Sequence, residues 1–386
     1  MVGESRIVPG SPEIDPSKLP ERLQALPGVN ELRANAPAQV YLVGGAVRDL
    51  LLGMDRADLD VVVEDDIAPL AEAMGGELAE HERFGTAKVD LGDLVLDIAR
   101  ARSETYPQPG ALPTVTPATL VDDLARRDFS INAMALPLSD EPTLIDPHDG
   151  LDDLRAGRLR VLHEKSFIDD PTRALRAARY MARLGLELEP ETDVWLRAAD
   201  LSTVSDDRVL AELAKIAGEE RPSAALQLVS DWGLLDIASG PRLAAALERL
   251  FESDPEWGEF ADRDTAILLG VAPGDHPARL RHRAAKIAHH DRPGSPAEIQ
   301  VLARDHVPEV LAVARAAGAD WLDEYVSRLR HVELEISGDD LIDAGVPEGP
   351  AVGRGLNAAL AGRLDGEISS RDEELRVALA AAEEPD

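Results

Sequence analysis

Between Tyr41 and Val63 the spacing of apolar residues changes from that of a strand to that of a helix and back again. Tyr41, Leu42 and Val43 form a short apolar run, Gly44 and Gly45 make a turn, and a short helix carries Arg48 and Asp49. A second strand is entered through Asp58-Leu59-Asp60. The two-residue period of a strand puts Asp58 and Asp60 on one face and turns Leu59 toward the core. A glycine pair between strand and helix lets backbone N–H groups come close to a phosphate, and the helix N-terminus adds partial positive charge there. Two adjacent carboxylates are hard oxygen ligands of the kind Mg²⁺ takes when it also holds substrate phosphates.

The pattern stays mixed α/β to about residue 160 and turns helical beyond it. A helix is expected from Ile67 to Met74, and two strands from Thr86 to Val89 and Leu94 to Ala99, joined at Gly92-Asp93. Asp97 interrupts the second strand's apolar run; a strand beside Asp58 and Asp60 would make it a third carboxylate, whereas a strand edge would leave it facing water. Residues 105–119 are too rich in Pro and Gly for regular structure and read as an irregular binding loop or lid. Next, Asp128 and Asn132 fall at i, i+4 on an expected helix, with Arg127 placed to reach a triphosphate through its planar fork of donors. A further helix opens at Asp170-Pro171 and runs to Gly185. Arg173, Arg176 and Arg179 form a slanted stripe on it and would repel one another unless an anion lay along them. Later helices are expected over Thr192–Ala199, Asp206–Ala217 (with Arg208 and Glu212 at i, i+4), Ser223–Trp232, Pro241–Phe251 and Arg263–Leu269.

Composition narrows the class. The chain has 386 residues, 44% hydrophobic and 29% charged, enough for two to four domains with their own cores. No stretch approaches the roughly 18 apolar residues of a membrane span, and the N-terminus has no signal-peptide core, so a cytoplasmic location and no membrane partner are expected. The absence of Cys excludes disulfides and thiolate metal sites. The net charge of −33 opposes contact with nucleic acid in general. Local exceptions are the Lys165–Arg183 segment and the segment with Arg279, Arg281, Arg283 and Lys286, and the second of these is the candidate for an RNA backbone. His276, His282, His289, His290 and Asp291 suggest a phosphohydrolase's His-Asp pair, but the other ligands are not evident.

Several segments resemble the class II tRNA nucleotidyltransferase and bacterial poly(A) polymerase family. Gly44-Gly45-Ala46-Val47-Arg48-Asp49 ahead of Asp58-Leu59-Asp60 resembles its G-G-x-V-R-D turn and D-x-D metal pair. Arg126-Arg127-Asp128-Phe129-Ser130-Ile131-Asn132-Ala133 matches a second hallmark, and Asp169-Asp170-Pro171-Thr172-Arg173 a third, with Asp169 where Glu is common. A weaker C-terminal likeness includes Gly349-Pro350 and Gly353. The resemblance implies an α/β head with a mixed sheet followed by an all-α neck, body and tail. The expected boundaries are an extension at 1–36, head 37–160, neck 161–220, body 221–300 and tail 301–386 with tRNA contacts.

It further implies a template-independent enzyme that adds CCA to tRNA 3′ ends from CTP and ATP. Mg²⁺ would be held by Asp58 and Asp60, and the triphosphate by Gly44, Gly45, Arg48 and Arg127. Asp170 and Arg173 would read the base, with Arg176 and Arg179 as further nucleotide contacts. CC-only or A-only addition and poly(A) synthesis are alternatives within the family. A protein that binds RNA or nucleotides without catalysis is an alternative of another class; loss of a metal aspartate or of Arg173 would mark it, and all are present.

Overall fold

The computed structural model describes residues 14–35, 39–54, 58–75, 77–78, 86–90 and 95–383, without the side chains of Asp58, Glu77 and Leu78. It divides into two compact units, residues 1–212 with 228–236, and residues 213–227 with 237–386.

The first unit is built on a six-stranded mixed sheet. Its strands are β1 (Val40–Val43), β2 (Asp58–Val63), β3 (Glu77–Leu78), β4 (Thr86–Asp90), β5 (Val95–Arg100) and, after a separate pair, β8 (Ala135–Pro137), in the order β3-β4-β5-β2-β1-β8. Only β2 and β5 run parallel; the other neighbours are antiparallel. Apolar residues at alternate positions give the sheet two covered faces. Leu42, Leu59, Val61, Val63, Leu96 and Ile98 join the main core, while Val43, Val62, Ala101 and Ala135 pack with Leu120 and Leu124 of the helix Leu120–Ala125. Asp60 shares its parity with Val62, so it belongs to the second face.

Of the N-terminal extension, residues 14–35 are part of the core rather than an appendage. Leu19, Leu23, Val29 and Leu32 are fully buried with the main core. Arg22 donates to the carbonyls of Leu50 (2.7 Å) and Leu51 (2.9 Å), covering the C-terminus of the helix Gly45–Leu52, where cations are favoured.

Two expectations are corrected. Residues 105–119 are not one irregular loop: β6 (Arg102–Thr105) and β7 (Thr114–Pro117) form an antiparallel hairpin, with Ser103 and Thr116 hydroxyls 2.8 Å apart. The prolines sit outside the ladder or at its end, where a missing N–H is harmless. Asp128 and Asn132 are not on an α-helix either. Phe129 is extended and bridges to Val161, and Ser130–Asn132 is a single 3₁₀ turn. The expected turn at Gly92-Asp93 lies outside the described residues.

The helix Thr172–Leu184 ends at Gly185 in the left-handed conformation (φ 66°), and the helix Asp206–Ala217 crosses the boundary between the units. Beyond it the second unit is wholly helical among the described residues; it takes in the expected tail, and the expected body apart from residues 228–236, which belong to the first unit. Its last two long helices, Pro350–Leu364 and Arg371–Glu383, have their own small core around Ile336, Leu341, Ala359, Ile368 and Ala378. No described helix is long and apolar enough to cross a membrane.

Candidate functional site

A cavity of about 860 Å³ in the first unit is lined by most of the expected site residues. Gly44, Gly45, Asp60 and Asp97 line it, and so do Arg127, Asp128, Asp170, Arg173 and Arg176, although these positions are spread over more than a hundred residues of sequence.

The sheet supplies the first group. Asp60 and Asp97 are register partners on the parallel strands β2 and β5, so their side chains stand on one face. Asp97 is half exposed and has Lys88 at 4.0 Å across β4, so it is neither a lone buried acid nor a strand end facing only water. Gly44 holds φ 69°, and a Cβ there would come 2.6 Å from Arg127 Nη1 and 3.7 Å from Asp60 Oδ2. A side chain would therefore displace the guanidinium, which is the physical reason for glycine at this turn. Asp58 precedes Asp60 by two residues on the strand; its side chain lies outside the described residues. Among the described residues no group of three or more acidic or histidine side chains is gathered closely enough to hold a metal ion.

The second group is a network of arginines held by carboxylates. Asp123 is fully buried and accepts from Arg126 (2.7 Å) and Arg127 (2.9 Å). Burial pushes its pKa up, but the two guanidinium charges outweigh that and hold it below the usual carboxylate range. Asp128 receives both Nε (2.7 Å) and Nη2 (2.5 Å) of Arg176, together with Asn132 Nδ2 at 3.0 Å. Burial raises the Asp128 pKa, yet Arg176 and Asn132 bring it to about 2, and burial's opposite pull on Arg176 is likewise overcome, so its pKa is raised.

These pairs explain the arginine stripe without any added anion. Arg173 donates to Ser166 Oγ (3.0 Å) and the Arg126 carbonyl (2.9 Å), and Arg176 is neutralised by Asp128. Arg179 lies 4.7 Å from the Tyr180 ring centre, and Arg183 Nη2 is 3.7 Å from Asp49 Oδ2. The repulsion expected along the helix is thus relieved by groups from other elements and, at Arg179, by the Tyr180 ring of the same helix.

Arg48 and Arg179 do not line the cavity. Arg48 is fully buried; it donates to Asp49 (2.7 Å) and Asn132 Oδ1 (2.6 Å) and stands over the Tyr180 ring at 5.0 Å. The buried guanidinium is thus held by Asp49, Asn132 and Tyr180 rather than set in the cavity wall where a triphosphate contact was expected. The bonds Arg48 to Asn132, Asn132 to Asp128 and Asp128 to Arg176 tie the helix after the glycine turn to the helix Thr172–Leu184.

The wall opposite the sheet contains residues that the local pattern did not single out. Asp170 Oδ1 accepts from Thr172 Oγ1 (2.6 Å), Thr172 N (3.1 Å) and Arg208 Nη2 (2.9 Å), and Arg208 Nη1 reaches the Gly110 carbonyl at 2.8 Å. Glu212, one turn beyond Arg208 on the same helix, faces Arg176 at 3.6 Å. Gly110, at the hairpin tip with φ 70°, lies so close to Thr203 that a Cβ would be 2.6 Å from its carbonyl. Glu104 accepts from Arg126 (2.8 Å) and the Tyr106 hydroxyl (3.0 Å), and burial drives the Tyr106 pKa to about 12. Their signal was the alternation of Arg102, Glu104 and Tyr106 in a segment dominated by its prolines.

Residues 40–160 match the family model of the poly A polymerase head domain. A CC-adding tRNA nucleotidyltransferase of Deinococcus radiodurans is 37% identical over 372 residues, covering 90% of this chain and 91% of that protein. A-adding tRNA nucleotidyltransferases of Geobacter sulfurreducens (34% identical, 89% of this chain) and Halalkalibacterium halodurans (40%, 60% of this chain) also match. The chain spans 45% and 58% of the length of those two relatives. Among solved structures, a CCA-adding enzyme in an apo form superposes with TM-score 0.76 at 28% identity, covering 95% of this chain and 96% of that one. A Thermotoga maritima CCA-adding enzyme complexed with tRNA gives 0.73 at 29%, with 96% and 99% covered. Since the head-domain match falls on the sheet that carries Gly44 and Asp60, and the relatives continue through the helices beyond it, the chain belongs to the class II tRNA nucleotidyltransferase and bacterial poly(A) polymerase family.

Proposed function

We propose that the protein extends tRNA 3′ ends without a template, adding C and A from CTP and ATP. The observation that carries this is the single cavity lined both by Asp60 and Asp97 on the sheet and by Asp170 and Arg173 at the start of the neck helix. One wall suits the triphosphate and the other the edge of a base.

In this reading Gly44 and Gly45 offer backbone N–H groups to the triphosphate, and Arg127, set against Gly44 and anchored by Asp123, donates to its oxygens. The oxygen-only donors of the Asp58-Leu59-Asp60 strand, with Asp97 beside them, suit a hard divalent ion that keeps several of its waters, so the absence of a closed three-residue cluster among the described residues is compatible with Mg²⁺. Asp58 and Asp60 would hold Mg²⁺, which would supply acidification of the 3′-hydroxyl and neutralisation of charge on the leaving pyrophosphate. The terminal hydroxyl of the tRNA attacks the α-phosphate in line, forming the new phosphodiester as the bond to pyrophosphate breaks.

Base choice follows from donor and acceptor order. Cytosine and adenine each present an exocyclic amine beside a ring-nitrogen acceptor; uracil and guanine present the reverse. All three hydrogen bonds recorded on Asp170 fall on Oδ1, so Oδ2 can take the amine. Arg173 uses two of its five N–H donors internally, leaving donors for the ring nitrogen. Fixing both groups before binding is what makes the edge selective.

CC-only addition is a second reading, favoured by the Deinococcus relative matched over nearly its whole length. Transcripts of tRNA ending before the first C, before the terminal A and after it, each offered CTP, ATP or both, separate the readings. Growth of the shortest transcript to full CCA supports the first; arrest before A supports the second; no extension of any transcript overturns both.

A further inference from the structure

The second unit contains a small cavity whose rim has an unusual charge. In a chain of 73 acids and 40 basic residues, cations readily find carboxylates, as Arg127, Arg176, Arg208 and Arg292 do. Arg279, Arg283 and Lys286 have no ion pair among the described residues. They are spaced by four and three residues on the helix Asp275–Ala288 and therefore share one face. Arg281, two positions away from that face, is spent internally on the carbonyls of Leu269 (3.0 Å) and Ala272 (2.7 Å) and leaves the set of candidate RNA contacts.

The cavity, about 210 Å³, is lined by Ile287, Leu302 and Trp321 together with Arg283, Lys286, His290 and His306. Trp321, one of the lining residues, is 3% exposed, and its buried indole Nε1 has no hydrogen-bond partner in the structure. The lining thus combines apolar and aromatic surface with two unpaired cations at the edge. Its volume is below the roughly 300–1,000 Å³ of pockets that enclose a drug-sized ligand. One ring fits better than a complete nucleoside triphosphate.

We propose that this cavity seats one unstacked nucleotide of the RNA substrate, its base against Ile287, Leu302 and Trp321 and its phosphate on Arg283 and Lys286. The inference rests on the reading of the protein as a tRNA-extending enzyme. Charge decides the class of occupant: on a chain of net charge −33, unpaired arginine and lysine on one helix face suit a polyanion, and the apolar floor beside them suits a base.

Fluorescence-anisotropy titration of the full chain with a tRNA transcript over a range of salt tests it. R283A/K286A should raise Kd about tenfold and lower the slope of log affinity against log salt by about 1 to 2. L302W, which fills the cavity, should raise Kd about threefold or more with the salt slope unchanged. Transcripts carrying 4-thiouridine should crosslink to peptides spanning residues 283–290 or 302–321 in the unaltered protein. CTP binding retained by each variant shows that the first unit is intact. Kd within twofold of the parent for R283A/K286A, or for an L302W that keeps CTP binding, overturns the proposal, as does crosslinking confined to other peptides. Equal affinity for free CMP would make it a mononucleotide site and overturn the RNA assignment. If the parent protein neither binds nor extends tRNA, the functional reading fails instead.

Discussion

The two units use the same residue type in opposite ways. Around the cavity of the first unit nearly every arginine has a carboxylate, carbonyl or ring as partner: Arg126 and Arg127 share Asp123, Arg176 has Asp128, and Arg208 has Asp170 and Gly110. On the helix Asp275–Ala288 of the second unit, Arg279, Arg283 and Lys286 stand without such partners. A paired guanidinium has fixed geometry and little net charge left over, so it discriminates between hydrogen-bonding patterns. An unpaired one gives attraction that is nearly indifferent to sequence and falls with salt. Selection of a nucleotide and grip on a long polyanion therefore ask for different surroundings of the same side chain.

That contrast can be broken at several points. The largest effect is expected from Asp58→Ala with Asp60→Ala: turnover in single-turnover extension should fall about 10³-fold or more. Affinity for tRNA in filter binding should stay within about twofold; unchanged turnover would remove the carboxylates from the chemistry. Next, Asp128→Ala leaves the Arg176 charge with only Glu212 near it and should cost about 3 kcal/mol of stability in urea unfolding. The exposed, unpaired Arg283→Ala should cost less than about 0.5 kcal/mol in the same measurement.

Arg173→Ala should lower the preference for CTP over UTP by about 10- to 100-fold, as expected for loss of one bidentate reading contact worth about 1–3 kcal/mol. It should shift tRNA affinity much less, which competition between nucleotides and RNA titration would compare directly.

The pH dependence is of similar size. Asp128 titrates at about 2 in the fold against 3.8 as the ordinary value. The unfolded chain then binds more protons between those values, so stability rises with pH through that window. The contribution, roughly 2 kcal/mol, is complete above about pH 4 and is lost as pH falls toward 2. Unfolding curves of Asp128→Asn taken from pH 5 to 2 should lack that slope. The smallest effect should come from Arg281→Ala, about 1 kcal/mol of stability for two lost carbonyl contacts. Its RNA affinity should be unchanged, unlike that of Arg283→Ala.

Much of this was legible along the chain because it depends on neighbours in sequence. The two-residue period of Asp58-Leu59-Asp60, the glycine before the helix Gly45–Leu52 and the stop at Gly185 are local consequences of backbone geometry, whereas the N-cap expected at Asp170 falls one residue later, at Pro171. The motifs carried the family for the same reason. What local pattern misread were partnerships between distant segments. Arg48, placed by its motif near phosphate, turned inward because Asn132 and Tyr180 surround it. Arg208 and Glu212, known from the chain only as neighbours on a helix, reach Asp170 and Arg176. The proline-rich stretch became a hairpin because Arg102–Thr105 found a partner strand and Gly110 found Thr203.

The sequence by itself determined most of the elements, the glycine turn, the spacing of Asp58 and Asp60 and the motifs that carry the family resemblance. Which arginines are neutralised and which stand without an ion pair was decided only by the tertiary structure, since charge pairing depends on distance in space and partners such as Arg176 with Asp128 or Arg183 with Asp49 lie far apart in the chain.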